Sequence, residues 1–163
     1  MIDYPLLAKD RELSADEALE ILDAGEFCVV STVDSDGMPY GVPLSYVLAD
    51  GALCFHTTNK AGHKLENFAR DERVCVTVTT EVEACYEDEF FTTRFASVIA
   101  RGRVRRVEDR VAMRRVLVAL CMKYLPEHKD KIGEGIAREI NDTAIWAVDL
   151  DEVCGKGARR LGR

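Results

Sequence analysis

Two imidazoles, two threonine hydroxyls and an ammonium gather in one short segment: His56, Thr57, Thr58, His63 and Lys64. The apolar run Leu53-Cys54-Phe55 predicts a strand that empties into His56, Thr57 and Thr58. A polar turn containing Gly62 follows, and a helix opens at His63 and Lys64. The first N–H groups of a helix lack intrahelical partners and carry the positive end of its dipole, so cations there call for a compensating anion. Hydroxyls, imidazoles and a lysine at that place form a phosphate site and point to a phosphorylated cofactor. Local alternatives stand beside this reading. His56 can bond a nearby carbonyl, and Thr57 and Thr58 can serve as strand formers or caps.

The flanking elements follow from pattern. Ser14-Ala-Asp-Glu17 is a capping box, and Gly25 can close the helix after it. Phe27 to Val33 is β-branched and apolar, hence a strand. Asp34 to Gly37 and Asp50-Gly51 are turns on either side of a second strand, Met38 to Leu48, whose Pro39 and Pro43 belong at an edge, bulge or strand start. Ala52 to Thr57 is the third strand, and Lys64 to Arg70 the helix after it. Val74 to Val78 alternates as a strand. Residues 81 to 92, acidic and aromatic, read as a loop or frayed strand, and as either a solvated face or a lid. Phe95 to Val107 is a long strand. Asp109 to Tyr124 is a helix that Pro126 stops, a short helix follows residues 129 to 135, and Ala144 to Leu150 is the last strand before a basic, Gly-rich tail. Strands joined by tight turns predict a mainly β fold, a β-barrel with peripheral helices. Tyr46, Phe95 and Trp146 read as packing residues that could also border a ligand, and His128 as surface.

Bulk properties narrow the function. The 163 residues are 47% hydrophobic and 31% charged, fitting a single globular domain. A net charge of -7 argues against nucleic acid as a partner, and the Arg101, Arg103, Arg105, Arg106 cluster reads as a solvated strand face. No apolar run approaches the ~20 residues of a membrane helix. The acidic, polar start is unlike a signal peptide. The six cysteines are scattered without a C-x-x-C pair, so reduced thiols in a cytoplasm are expected, and neither disulfides nor zinc.

Taken in order, several stretches resemble one family. They are Ser31-Thr-Val-Asp-Ser-Asp-Gly-Met-Pro-Tyr-Gly-Val-Pro-Leu44, Phe55-His-Thr57, Gly62-His-Lys-Leu-Glu-Asn67, Asp71-Glu-Arg-Val74 and Phe91 to Gly102. The chain resembles the pyridoxamine 5′-phosphate oxidase-like superfamily with the FMN-binding split barrel, closest to its nitroimidazole-resistance (Nim-type) branch, over residues 10 to 155. The resemblance implies an antiparallel, Greek-key-like barrel, with 156 to 163 as a basic tail. It implies a homodimer with FMN at the subunit interface and a small flat electron acceptor. Pro43, Leu44 and Ser45 would line the isoalloxazine and ribityl chain. His56 and Thr57 would sit by the ribityl phosphate or flavin edge, with His56 as the catalytic candidate. His63 and Lys64 would hold the phosphate. Ser97 and Val98 would touch the flavin, from the same or the partner subunit. Lys156 or Arg159 would either touch cofactor or solvate the tail.

One departure shapes the expected substrate. The oxidases carry an Arg and a Lys on the strand that here reads Val42-Pro-Leu-Ser-Tyr-Val-Leu48, which has no basic residue. Oxidation of pyridoxamine phosphate is therefore not expected, and a neutral acceptor such as a nitroaromatic is. The alternative is a flavin, haem or deazaflavin binder acting as carrier or sensor, with His56 or His63 as the haem ligand.

Overall fold

The computed structural model describes residues 8–87 and 89–158; the first seven residues, Asp88 and the tail residues from Arg159 to Arg163 lie outside them. Ser14 opens the first helix as its spacing predicts. Its hydroxyl accepts from the Glu17 N–H at 3.3 Å, and Glu17 Oε2 accepts from the Ser14 N–H at 2.8 Å. Helix α1, Ala15–Ala24, buries Ala18, Ile21 and Leu22. Gly25 ends it at a φ of -62°, so left-handed freedom is not why glycine stands there. A Cβ at Gly25 would lie 2.4 Å from Val78 Cγ1 and 2.6 Å from Tyr46 Oη. The position needs the absence of a side chain.

Seven strands form one antiparallel sheet: β1 (Phe27–Val33), β2 (Pro39–Ser45), β3 (Val47–Ala49), β4 (Ala52–Thr58), β5 (Arg73–Glu87), β6 (Phe90–Val107) and β7 (Thr143–Ala158). Their order is β2-β1-β5-β6-β7-β4-β3. The two outermost strands are consecutive in the chain, with only Tyr46 between them. The sheet must therefore curl until its edges meet at that residue, which makes the split barrel. The run expected as one strand from Met38 to Leu48 divides at Tyr46, whose ring is fully buried and whose hydroxyl donates to Leu22 O.

Two further boundaries differ from the sequence reading. The stretch 81 to 92 is paired, with β5 and β6 in register from Glu83↔Arg94 to Glu87↔Phe90. Its charge is balanced in place, because Arg94 lies 3.0 Å from Glu83 and also bonds Glu87. The last strand runs past Leu150 to Ala158 along β6. Its glycines serve packing, since a Cβ on Gly155 would stand 2.9 Å from Ala18 Cβ and 3.0 Å from Leu13 Cβ.

Alternating residues fill the barrel. Cys28 and Val30, Leu53 and Phe55, Val76 and Val78, Val98 and Ala100 point inward with Val148. Burial pushes the Cys28 thiol up to about 12, which leaves it a neutral packing group. Helices α3 (Arg110–Tyr124) and α4 (Ile132–Glu139) follow β6. Met113, Val116 and Leu120 of α3 pack on the outside of β3, β4 and β7 against Val47, Cys54, Ile145 and Ala147. Among the described residues no helix covers the outer face of the other strands. Pro43, Val29, Thr77, Ile99 and Cys154 lie side by side across β2, β1, β5, β6 and β7 on that face. Phe27, Val29, Val33 and Ile99 are exposed there. No helix among the described residues is long and apolar enough to cross a membrane.

Candidate functional site

Helix α2, His63–Arg70, closes one end of the barrel. Phe68 wedges between Phe55 and Trp146, with ring centroids 6.1 and 5.2 Å away. Asn67 is buried and donates from Nδ2 to Thr32 Oγ1 at 2.9 Å, and that hydroxyl donates to Tyr40 O at 3.3 Å. The Arg70 guanidinium donates to Val33 O. Three residues of one short helix thus fix its angle against β1, β4 and β7. The turn before it is equally held. Asn59 donates to Asn141 O at 2.6 Å, its N–H reaches Asp142 O at 3.0 Å, and its Oδ1 accepts from Arg106 at 3.1 Å.

The N-terminus of α2 is open. Gly62 is the N-cap, no side chain caps the first turn, and space around Gly62 is free within 4 Å of where a Cβ would lie. His63 stacks on Tyr40 with centroids 4.2 Å apart, and its Nε2 is 3.8 Å from Asp34 Oδ2. The other oxygen of Asp34 accepts from the N–H groups of Asp36 and Met38 at 3.0 and 2.9 Å. The fold therefore supplies His63 with an internal anion. Lys64 is half-buried and has no acidic partner among the described residues. Among the described residues nothing acidic answers its charge at this terminus.

The remaining predicted residues fall into three places. Thr57 shares the inward side of β4 with Phe55 and is half-buried at the barrel mouth, opposite Ala144. His56 shares the other side with Cys54, opposite Ile145, so its exposed ring lies on the face that α3 covers. Pro43, Ser45 and Ser97 belong to the uncovered outer face. Pro43 pairs Val29, Ser45 pairs Phe27, and Ser97 stands between Thr79 and Lys156, donating to Lys156 O at 3.2 Å. Leu44 turns inward and packs on the barrel core. Val98 is fully buried there, so only its backbone is available to a ligand. The structure joins Thr57, His63 and Lys64 at one barrel end, gathers Pro43, Ser45 and Ser97 on one face, and leaves His56 apart from both.

Sequence reasoning passed over Tyr40, Asp34 and Arg106. Tyr40 and Asp34 flank the Asp-Gly turn, where alternation alone does not say what approaches from another element. Arg106 read as strand surface, yet its side chain reaches the turn that precedes α2. Trp146 Nε1 is buried with no partner among the described residues, so an indole N–H behind Phe68 is open to a ligand or water. The chemistry at this end of the barrel suits a phosphate: an uncapped helix N-terminus, a lysine without an acidic partner among the described residues, and a threonine hydroxyl at the end of β4. Cys54 is raised by burial to about 11, so it offers no ready thiolate. Among the described residues no cluster of His, Cys, Asp and Glu suits a metal ion.

A family model described as pyridoxamine 5′-phosphate oxidase matches residues 14–157. No curated protein matches the chain. Solved structures share its fold at low identity. A candidate 5-nitroimidazole antibiotic resistance protein of Bacteroides thetaiotaomicron is 22% identical, with a TM-score of 0.75 over 90% of this chain and 86% of its own. A conserved hypothetical protein of Mycobacterium tuberculosis is 21% identical, with a TM-score of 0.80 over 98% and 94%. An FAD and heme binding protein of Mycobacterium smegmatis is 20% identical, with a TM-score of 0.74 over 91% and 74%.

Proposed function

The chain belongs to the pyridoxamine 5′-phosphate oxidase family, and from that premise we propose that it is an FMN-dependent oxidoreductase acting on a small, flat, neutral acceptor of the nitroaromatic kind. The observation that carries the cofactor is Lys64 at the uncapped N-terminus of α2, without an acidic partner among the described residues. A ribityl phosphate brings up to two negative charges to that place. Thr57 adds a hydroxyl from the barrel mouth, and His63, stacked on Tyr40, fixes the approach of the turn. Asn67 and Arg70 keep the helix end aimed. Bound flavin supplies the exchange of electrons, and the protein supplies position and charge.

The substrate reading rests on Val42 to Leu48, the end of β2 and the start of β3, which has no cation to grip a second phosphate. The Bacteroides relative named for 5-nitroimidazole resistance agrees with it. We assign the outer face with Pro43, Ser45 and Ser97 to a homodimer interface that also borders the flavin, since that face is apolar and uncovered. Six free cysteines suit a reducing compartment such as cytoplasm. A second reading, a flavin or haem carrier without turnover, is favoured by the position of His56, which faces α3 and leaves no histidine acid on the uncovered face.

The visible spectrum of the purified protein and an FMN titration test the main reading. Paired flavin bands are expected. Lys64→Ala should weaken FMN by roughly 10- to 100-fold, the scale of one charge-assisted bond. A double variant, His63→Ala with Lys64→Ala, that keeps wild-type FMN affinity removes the phosphate assignment. Anaerobic reduction of a nitroaromatic then divides enzyme from carrier.

A further inference from the structure

Beyond the barrel, β5 and β6 continue as a two-stranded arm. The register slips between Thr80 and Glu83, where Glu81 has a φ of 56°, and such a bulge re-aims a ribbon. Five residue pairs follow, from Glu83↔Arg94 to Glu87↔Phe90. At ~3.3 Å per residue they carry the arm roughly 16 Å. Val82, Tyr86, Phe90 and Phe91 are 64, 61, 72 and 90% exposed. Tyr86 and Phe91 face each other across the ladder with rings 4.7 Å apart, and they help line an open cavity of ≈ 440 Å³ with Ala84 and Thr93. Arg94 bonds Glu83 and Glu87 on the opposite side of the ribbon. Ladder and ion pairs therefore stiffen an arm whose aromatic side faces water.

A monomer seldom leaves so much apolar surface bare. On the outer side Phe27, Tyr86 and Phe91 alone expose on the order of 400 Å². Val29, Val33, Val82 and Ile99 bring the surface toward the ~800 Å² that each partner gives a standard interface. Arm and outer face are continuous, because both belong to β5 and β6. The stripe Pro43-Val29-Thr77-Ile99-Cys154 spans five strands. A two-fold axis over it lays the stripe on its own copy, and an arm extending past its own barrel then finds the second sheet beside it.

We infer that the β5–β6 arm lies across the outer sheet face of a second copy of this chain, with Tyr86 and Phe91 as its anchors, reciprocally in the two copies. This rests on the homodimer proposed above and names the segment that holds it together. Replacing Phe91 by p-benzoylphenylalanine and irradiating the full-length protein reads the contact directly. Covalent dimers are expected, with cross-links mapping to β1, β2, β5 or β6 of the other copy. Sedimentation equilibrium should show Tyr86→Ser/Phe91→Ser raising the dimer dissociation constant by about tenfold or more, as for buried aromatic anchors, with circular dichroism unchanged. Cross-links confined to one chain, a double variant that dimerises like wild type, or a monomeric wild type at micromolar concentration each overturns the inference. FMN titration of the same samples separates the two ideas. A monomer that binds FMN removes the arm contact and leaves the flavin reading; a cross-linked dimer that does not bind FMN does the reverse.

Discussion

The hydroxyl of Tyr124 holds both ends of the Tyr46 backbone: it accepts from the Tyr46 N–H at 2.9 Å and lies 3.0 Å from Tyr46 O, with Glu26 O at 2.5 Å. One phenol thus stands in for ladder bonds at the residue where the barrel edges meet. Lys123 adds to the joint, its Nζ 4.2 Å over the Tyr46 ring and donating to Asp23 O at 2.9 Å. Burial lowers the Lys123 pKa and raises that of Tyr46.

Tyr124→Phe should therefore cost about 1–3 kcal/mol, since it strands a buried N–H as well as losing bonds. Urea denaturation measures it as a lower midpoint at unchanged slope. A midpoint equal to wild type would show that the barrel joint does not need this phenol.

Asn67→Leu and Thr32→Val each break the buried bond between α2 and β1, and each should cost about 1–2 kcal/mol. Combined, they should cost less than the sum, because neither then leaves an unsatisfied partner. FMN affinity should fall in the single variants too, as the helix that presents Lys64 loses its tether. Strict additivity in the double-mutant cycle counts against the coupling.

Thr57→Val and His56→Ala discriminate the two sides of β4. The threonine change should weaken FMN several-fold, at roughly 1 kcal/mol for a lost neutral hydrogen bond. The histidine change should leave FMN binding near wild type, because its ring lies on the α3 face. The opposite ranking by fluorescence titration would reverse the assignment of the barrel mouth.

Alkaline pH should loosen the core. Burial raises the Cys28 thiol from 9.0 to about 12 and the Cys54 thiol to about 11. Both hold their protons more tightly folded than unfolded. Their stabilisation is fully present below about pH 9 and is lost as pH climbs through the folded values. The urea midpoint should decline between pH 9 and 11, and Cys28→Ala should flatten the decline. A wild-type midpoint constant over that window contradicts this account.

The sequence carried the antiparallel barrel, because alternation and Asp-Gly turns are local signals, but not the sheet order, which rests on long-range pairing. It carried the turn into α2 as well, since Gly62, His63 and Lys64 are neighbours at that helix start. The division at Tyr46 was not legible, because it depends on Tyr124 and on helix α1. The pairing of the arm, read as a loop or a frayed strand, was not legible for a related reason. Acidic residues in a row look solvated, and only the register of β6 brings Arg94 opposite Glu83. His63 reads as a phosphate ligand in isolation, but its ring neighbours in the fold, Tyr40 and the Asp34 carboxylate, come from the β1–β2 turn region. The placement of His56 away from Thr57 follows from strand alternation alone, though which side is inward required the core.

Strand β4, which leads into the turn before α2, pairs with β7 from Leu53 to Thr58. The turn's own anchors, Asn141 and Asp142, stand at the start of that same strand. A chain emerging from the ribosome therefore exposes the His56 to Lys64 segment long before the strand that orders it exists. Long-range pairings of this kind close late. The cofactor end should mature after the β1–β2 and β5–β6 hairpins, and FMN added during refolding should act on the last step, by capturing the docked C-terminal strand.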